Sequence, residues 1–150
     1  MDKKILFNFR TPSTVTSEMI NYEESSEKTP EYFASELMQA RTQFHIWHLQ
    51  ATSYEIHVAI DMFYSSLSGI IDKFVETVQG KNKFIIKGYT TQPLTDFISK
   101  EQILTELEEF KQDVLNYMAT FDKSWSNVEN QLQELLDTIE HCIYRLTFLN

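Results

Sequence analysis

Punctuation is what this sequence lacks. Three glycines and three prolines are spread over 150 residues, so the chain has few places for tight turns and must be built from a small number of long elements. With 42% hydrophobic and 13% aromatic residues it has ample material for one core, and a chain of this length reads as a single domain. Disordered and collagen-like classes are excluded by the same numbers. Long helices are the expectation. The formal charge of -9 disfavours capture of nucleic acid on a basic face and favours cations as partners. The single cysteine, Cys142, has no partner for an intrachain disulfide. No signal peptide or membrane span is apparent, and a reducing, cytoplasmic setting is expected.

Residues 1–30 read as an N-terminal arm, because the Ser-, Thr- and Glu-rich stretch after Lys4–Phe9 holds no sustained period. Residues 31–150 then divide into four helices. Thr29, Pro30 and Glu31 mark the first start, and Phe33, Leu37, Ala40, Phe44 and Trp47 carry the helical stripe to about Gln50. A capping box at Thr52 and Glu55 opens a second helix to Gln79, with Gly80 in the left-handed position after it. A long connection over Phe84–Ile98 follows, with a short helix expected near Leu94–Ile98. Ser99 and Gln102 open a third helix to about residue 121, lined by Ile103, Leu104, Leu107, Val114, Leu115 and Met118. Ser126 and Glu129 resemble a box opening the fourth, whose stripe is Val128, Leu132, Leu135, Leu136, Ile139, Ile143 and Leu146. The expected fold is an all-α four-helix bundle of up-down-down-up type, with a long crossover between the second and third helices.

The second helix carries His57, Asp61, Asp72 and Glu76 within an arc roughly 100° wide. Asp61 and Asp72 are eleven residues apart, roughly 16 Å of rise, far beyond the spacing of two ligands on one metal. An antiparallel copy of the helix resolves this. A two-fold axis near Ser66 and Leu67 brings His57 and Asp61 of one subunit beside Asp72 and Glu76 of the other, giving two equivalent sites per dimer. Ser65, Ser66, Ser68 and Gly69 are small enough for close approach there. If the first two helices turn near Ala51, His45 falls beside His57. Two imidazoles with up to three carboxylates suit iron, manganese or zinc, with iron(II) the natural choice. His48, one turn after His45, is an alternative ligand, though a partly exposed histidine is the simpler expectation. Tyr54 and Trp47 are expected near the site, with core filling the simpler account of both, and Cys142 is expected buried and inert.

The ladder His45, His57, Asp61, Asp72, Glu76 resembles the ferroxidase signature of the Dps-type miniferritins, in the ferritin-like superfamily. The resemblance covers residues 32–80 and implies a ferritin-like bundle. It also implies metal ligands shared across a two-fold interface, oxidation of iron(II) by peroxide or oxygen for storage or detoxification, and a homo-oligomer ranging from a dimer to a dodecamer. The sequence departs from the family pattern at Ile46, directly after the first histidine, and at Thr77, after the last acid. A lysine-rich tail is also missing, so DNA binding is not carried over. The main rival reading is a non-catalytic helical metal-binding or interaction module that keeps only the dimer.

Overall fold

The computed structural model of the chain describes residues 29–149. All but the last two residues of the expected 1–30 arm lie outside the described residues. Four α-helices follow in order: α1 (Pro30–Gln50), α2 (Tyr54–Asn82), α3 (Lys100–Met118) and α4 (Ser126–Phe148). The described residues are otherwise turn and irregular chain, without strands. No helix among them is long and apolar enough to cross a membrane.

Local chemistry accounts for most of the helix starts. The Thr29 hydroxyl accepts from the Tyr32 N–H at 3.2 Å, with Pro30 in the first turn, which is where a missing N–H costs nothing. At α2 the cap is Ser53 rather than Thr52: its hydroxyl accepts from the Ile56 N–H at 3.4 Å. Glu55 turns back to it, and that contact, then the residue's own backbone N–H, holds the Glu55 carboxyl below its ordinary range. Ser99 accepts from the Gln102 N–H at 3.2 Å, and the Gln102 amide oxygen accepts from the Ile98 N–H at 3.0 Å. The box expected at Ser126 does not form. Trp125 takes the cap position of α4 without a side-chain bond. The local acceptor is instead Asp122, which takes the Ser124 N–H at 2.7 Å and starts a 3₁₀ turn over Lys123–Trp125.

Gly80 does not end α2. The helix continues to Asn82, and Lys83 takes the left-handed conformation at φ 56°. The extra turn is anchored by Lys81, which donates to the Ser124 carbonyl and lies 5.5 Å from the Trp125 ring centre, and by fully buried Val78. These contacts offset the roughly 1 kcal/mol that a glycine costs inside a helix.

The four helices share one hydrophobic core. Phe33, Phe44, Trp47, Phe63, Phe74 and Phe110 are its largest fully buried side chains, each contributing about 1.5–3 kcal/mol or more by leaving water. Phe33 stacks on Tyr117 at 4.3 Å and meets Phe74 edge-on at 5.3 Å. The start of α1, the second half of α2 and the end of α3 therefore meet at one end. Arg41 with Ser68, and His48 with His57, set α1 antiparallel to α2. Thr77 with Gln131, and Ala59 with Cys142, do the same for α2 and α4. On α3 the inward positions include Phe110 and Tyr117, whereas Leu115, expected in the stripe, is 40% exposed.

The short helix expected at Leu94–Ile98 is absent; the chain from residue 85 to Ser99 is irregular and is held along α1 by glutamine side chains. Gln39 exchanges two hydrogen bonds with the Gln92 backbone, both 3.1 Å. Gln43 donates to the Thr95 carbonyl at 2.7 Å and accepts from its N–H at 2.8 Å. Gln50 accepts from the Phe97 N–H at 2.7 Å. Side-chain amides on α1 thus take the backbone groups that a local helix would have used.

Candidate functional site

The polar face of α2 leaves the core because Ala59, Ile60, Phe63, Leu67, Ile70 and Ile71 point inward. His57, Asp61, Asp72 and Glu76 remain on the outer side, with His57 half-buried and the three acids exposed.

At the α1–α2 turn the residue that meets His57 is His48. Their ring centres are 3.8 Å apart. The His48 Nδ1 donates to the His57 backbone carbonyl and the His57 Nδ1 donates to the His48 carbonyl, both at 3.0 Å. A carbonyl oxygen only accepts, so both Nδ1 atoms carry a proton, which leaves Nε2 as the nitrogen that offers a lone pair in the neutral ring. This backbone-anchored tautomer is the form in which histidine serves as a metal ligand through Nε2. The His48 Nε2 lies 3.8 Å from Asp61 Oδ1, within the roughly 3–4 Å that separates two ligand atoms each about 2.1 Å from one metal.

His45 is not the residue placed against His57. It is exposed and stacks on Tyr64 with ring centres 4.4 Å apart, 6.2 Å from the His48 ring. The pairing is centred between Thr52 and Ser53 rather than at Ala51, because Ala51–Ser53 are all non-helical and α2 begins only at Tyr54. His48, expected to be partly exposed, is 8% exposed. The signal for it lay in counting connector residues instead of assuming a turn at one position. Tyr64 also joins the group. It follows Asp61 by three positions and His57 by seven, so all three share a face. Burial first, then the hydrogen bond and the charge of Asp61, raise the Tyr64 phenol above its ordinary range.

The other two acids stand further along α2. Asp72 borders a hollow of about 180 Å³ with Met38, Arg41, Ser68 and Ile71. The Arg41 Nε donates to the Ser68 hydroxyl at 2.7 Å there. Glu76 lies on the rim of a second hollow of about 380 Å³ with Gln79, Gly80, Lys83, Phe84 and Ile85. Among the described residues, no three His, Cys, Asp or Glu side chains of one chain gather into a metal-holding group. The structure thus pairs His48 with His57 and sets the His48 Nε2 near Asp61, stacks His45 on Tyr64, and leaves Asp72 and Glu76 separate within the chain.

The remaining singled-out residues are simpler. Trp47 fills the core and donates from Nε1 to the Thr95 carbonyl at 3.0 Å. Tyr54 is 82% exposed. His141 is exposed, and Cys142 is buried.

Over residues 48–146 the sequence matches DUF5856, a family of unknown function. The matched span contains His48, His57, Asp61, Asp72 and Glu76. No curated protein matches the chain, and no solved structure matches it.

Proposed function

We propose, for a chain that belongs to the DUF5856 family, a Dps-like ferroxidase: a ferritin-like four-helix bundle that binds iron(II) between two antiparallel copies of α2 and oxidises it. In this reading residues 84–99 are the long crossover that lets α2 and α3 run parallel. His48, His57 and Asp61 of one copy form half of the site, and Asp72 and Glu76 of the other complete it. His48 takes the place expected for His45. The observation that carries the reading is the reciprocal His48–His57 lock, which engages both Nδ1 atoms and leaves the His48 Nε2 3.8 Å from Asp61.

The donor set fits the metal. Imidazole nitrogen and carboxylate oxygen together suit iron(II), with manganese or zinc as substitutes. Anionic ligands favour the ferric over the ferrous charge, which eases electron loss. Two iron(II) ions give one electron each to hydrogen peroxide, its O–O bond breaks, and two protons complete two waters. Oxygen would serve as the alternative acceptor. At the crossing, Ser65 and Ser66 donate to the Asp61 and Met62 carbonyls one turn back, at 2.6 and 2.7 Å. They therefore present no unsatisfied hydroxyl to an approaching helix. Assembly of such dimers into a dodecameric shell would add storage to oxidation.

The deciding experiment adds iron(II) with peroxide or in air and follows ferric absorbance. Turnover that falls at least tenfold in the His57→Ala, Asp61→Ala double variant supports the reading. An unchanged rate overturns it. Tight zinc binding at these residues without iron oxidation would favour the non-catalytic metal-binding module instead.

A further inference from the structure

We infer that a second copy of this chain is anchored by Tyr54, whose ring enters the hollow over Gly80 on the partner's α2. This rests on the antiparallel α2 pairing of the proposed function and adds an apolar contact next to the ligand Glu76.

Features at the two ends of α2 converge on it. Tyr54 opens α2 with its side chain 82% exposed, a large amphipathic ring of the kind that anchors interfaces. The hollow at the other end of the same helix, about 380 Å³ and lined by Glu76, Gln79, Gly80, Lys83, Phe84 and Ile85, has Phe84 and Ile85 still exposed. Gly80 sits inside the helix at an ordinary negative φ, and a Cβ there would meet nothing within 4 Å. Among the described residues, neither backbone conformation nor packing calls for glycine at that point, although glycine weakens a helix. Its bare surface leaves room for a partner's side chain.

The position of the ring follows from helix arithmetic. Tyr54 lies roughly 60° around α2 from His57, inside the arc that holds Asp61, Asp72 and Glu76. A two-fold axis between Ser66 and Leu67 places Tyr54 about 19 Å to one side and Gln79 about 19 Å to the other. Antiparallel pairing therefore superimposes Tyr54 of one copy on Gln79 and Gly80 of the next, twice per dimer. The hollow carries one charge of each sign, Glu76 and Lys83, and in this pairing the exposed Glu55 carboxylate that follows Tyr54 would have Lys83 as its opposite charge.

Metal-free protein provides the test, by sedimentation equilibrium of wild type, Tyr54→Ala and Gly80→Leu and by oxidative crosslinking of a Tyr54→Cys, Gln79→Cys double variant. The expected results are a dimer weakened at least tenfold in both single variants and a covalent dimer from the double variant. Tyr54→Cys alone should give none, since its two copies would sit at opposite ends. Gly80→Leu should also raise the monomer's melting temperature, which separates loss of docking from loss of fold. A dimer of unchanged affinity in Tyr54→Ala, or crosslinking of Tyr54→Cys alone, overturns the anchor while leaving iron oxidation to be judged by its own assay. A monomeric wild type overturns the anchor, and calorimetry of iron(II) with that monomer then decides the metal reading separately.

Discussion

His48 and His57 each donate from Nδ1 to the other's backbone carbonyl, both at 3.0 Å. The two rings thereby lock one another across the α1–α2 turn and share a single tautomer. The arrangement distinguishes His48 from His45, whose exposed ring only stacks on Tyr64. His48→Ala is expected to lower iron(II) affinity at least tenfold, a loss in the range seen when a histidine ligand or its orienting partner is removed. His45→Ala is expected to stay within about twofold, below roughly 0.4 kcal/mol. Calorimetric titration of both variants checks the order, and equal losses would return His45 to the ligand set.

Gln43 is fully buried and its amide brackets Thr95, donating to the carbonyl and accepting from the N–H. Gln43→Leu keeps the volume and removes these bonds, together with the longer one from the Thr95 hydroxyl at 3.4 Å, leaving the Thr95 N–H without its acceptor. A cost of about 1–3 kcal/mol is expected. Trp47 still holds the Thr95 carbonyl, so the opening should be local. Hydrogen exchange should accelerate at residues 90–97 well before the α1 core. Acceleration spread evenly over all four helices would show that the segment does not open on its own.

Legibility divides along the distance over which the determining contacts act. Thr29 and Ser99 were readable as caps because a hydroxyl and an N–H three residues on are enough to define them. The alternation of core positions on α4 was readable for the same reason, from Val128 to Leu146. The sequence offers His48 only as an alternative ligand, because its burial depends on how many residues leave the helix at the turn, here Ala51–Ser53, and that number shifts every cross-helix pair. Lys83 in the left-handed region could not be anticipated with Gly80 nearby, since Lys81 reaching Ser124 prolongs the helix from 43 residues away. The glutamines left a partial trace. Gln39, Gln43 and Gln50 share one face of α1, but their partners lie about 50 residues on.

Cys142 is fully buried, with Sγ 3.5 Å from the Ala59 carbonyl to which it donates. Burial pushes its thiol up to about 12. At pH 8 the thiolate fraction is then about a thousandfold below that of a free cysteine. Native protein is expected to react with a maleimide only as fast as α4 opens, and denatured protein at once. Stoichiometric labelling of the native chain within minutes would contradict the packing of α4 on α2.

Glu106 carries a carboxyl oxygen that is buried without a hydrogen-bond partner among the described residues. Burial first, and the neighbouring Glu109 carboxylate second, raise it from 4.5 to about 7. Because the folded value lies above the unfolded one, the unfolded chain ionises first as pH rises. Stability is therefore complete below about 4.5, falls between there and about 7, and levels off above. Half-exposure screens part of the penalty, leaving on the order of 1 kcal/mol. Glu106→Gln removes the ionisation and keeps the shape, so its urea midpoint should match wild type near pH 4.5 and exceed it at pH 8. The net charge of -9 also weakens the fold as carboxylates ionise, but that repulsion changes by only one charge between the two proteins. The difference between their pH profiles isolates Glu106, and parallel profiles would show that its carboxyl is solvated in the native chain.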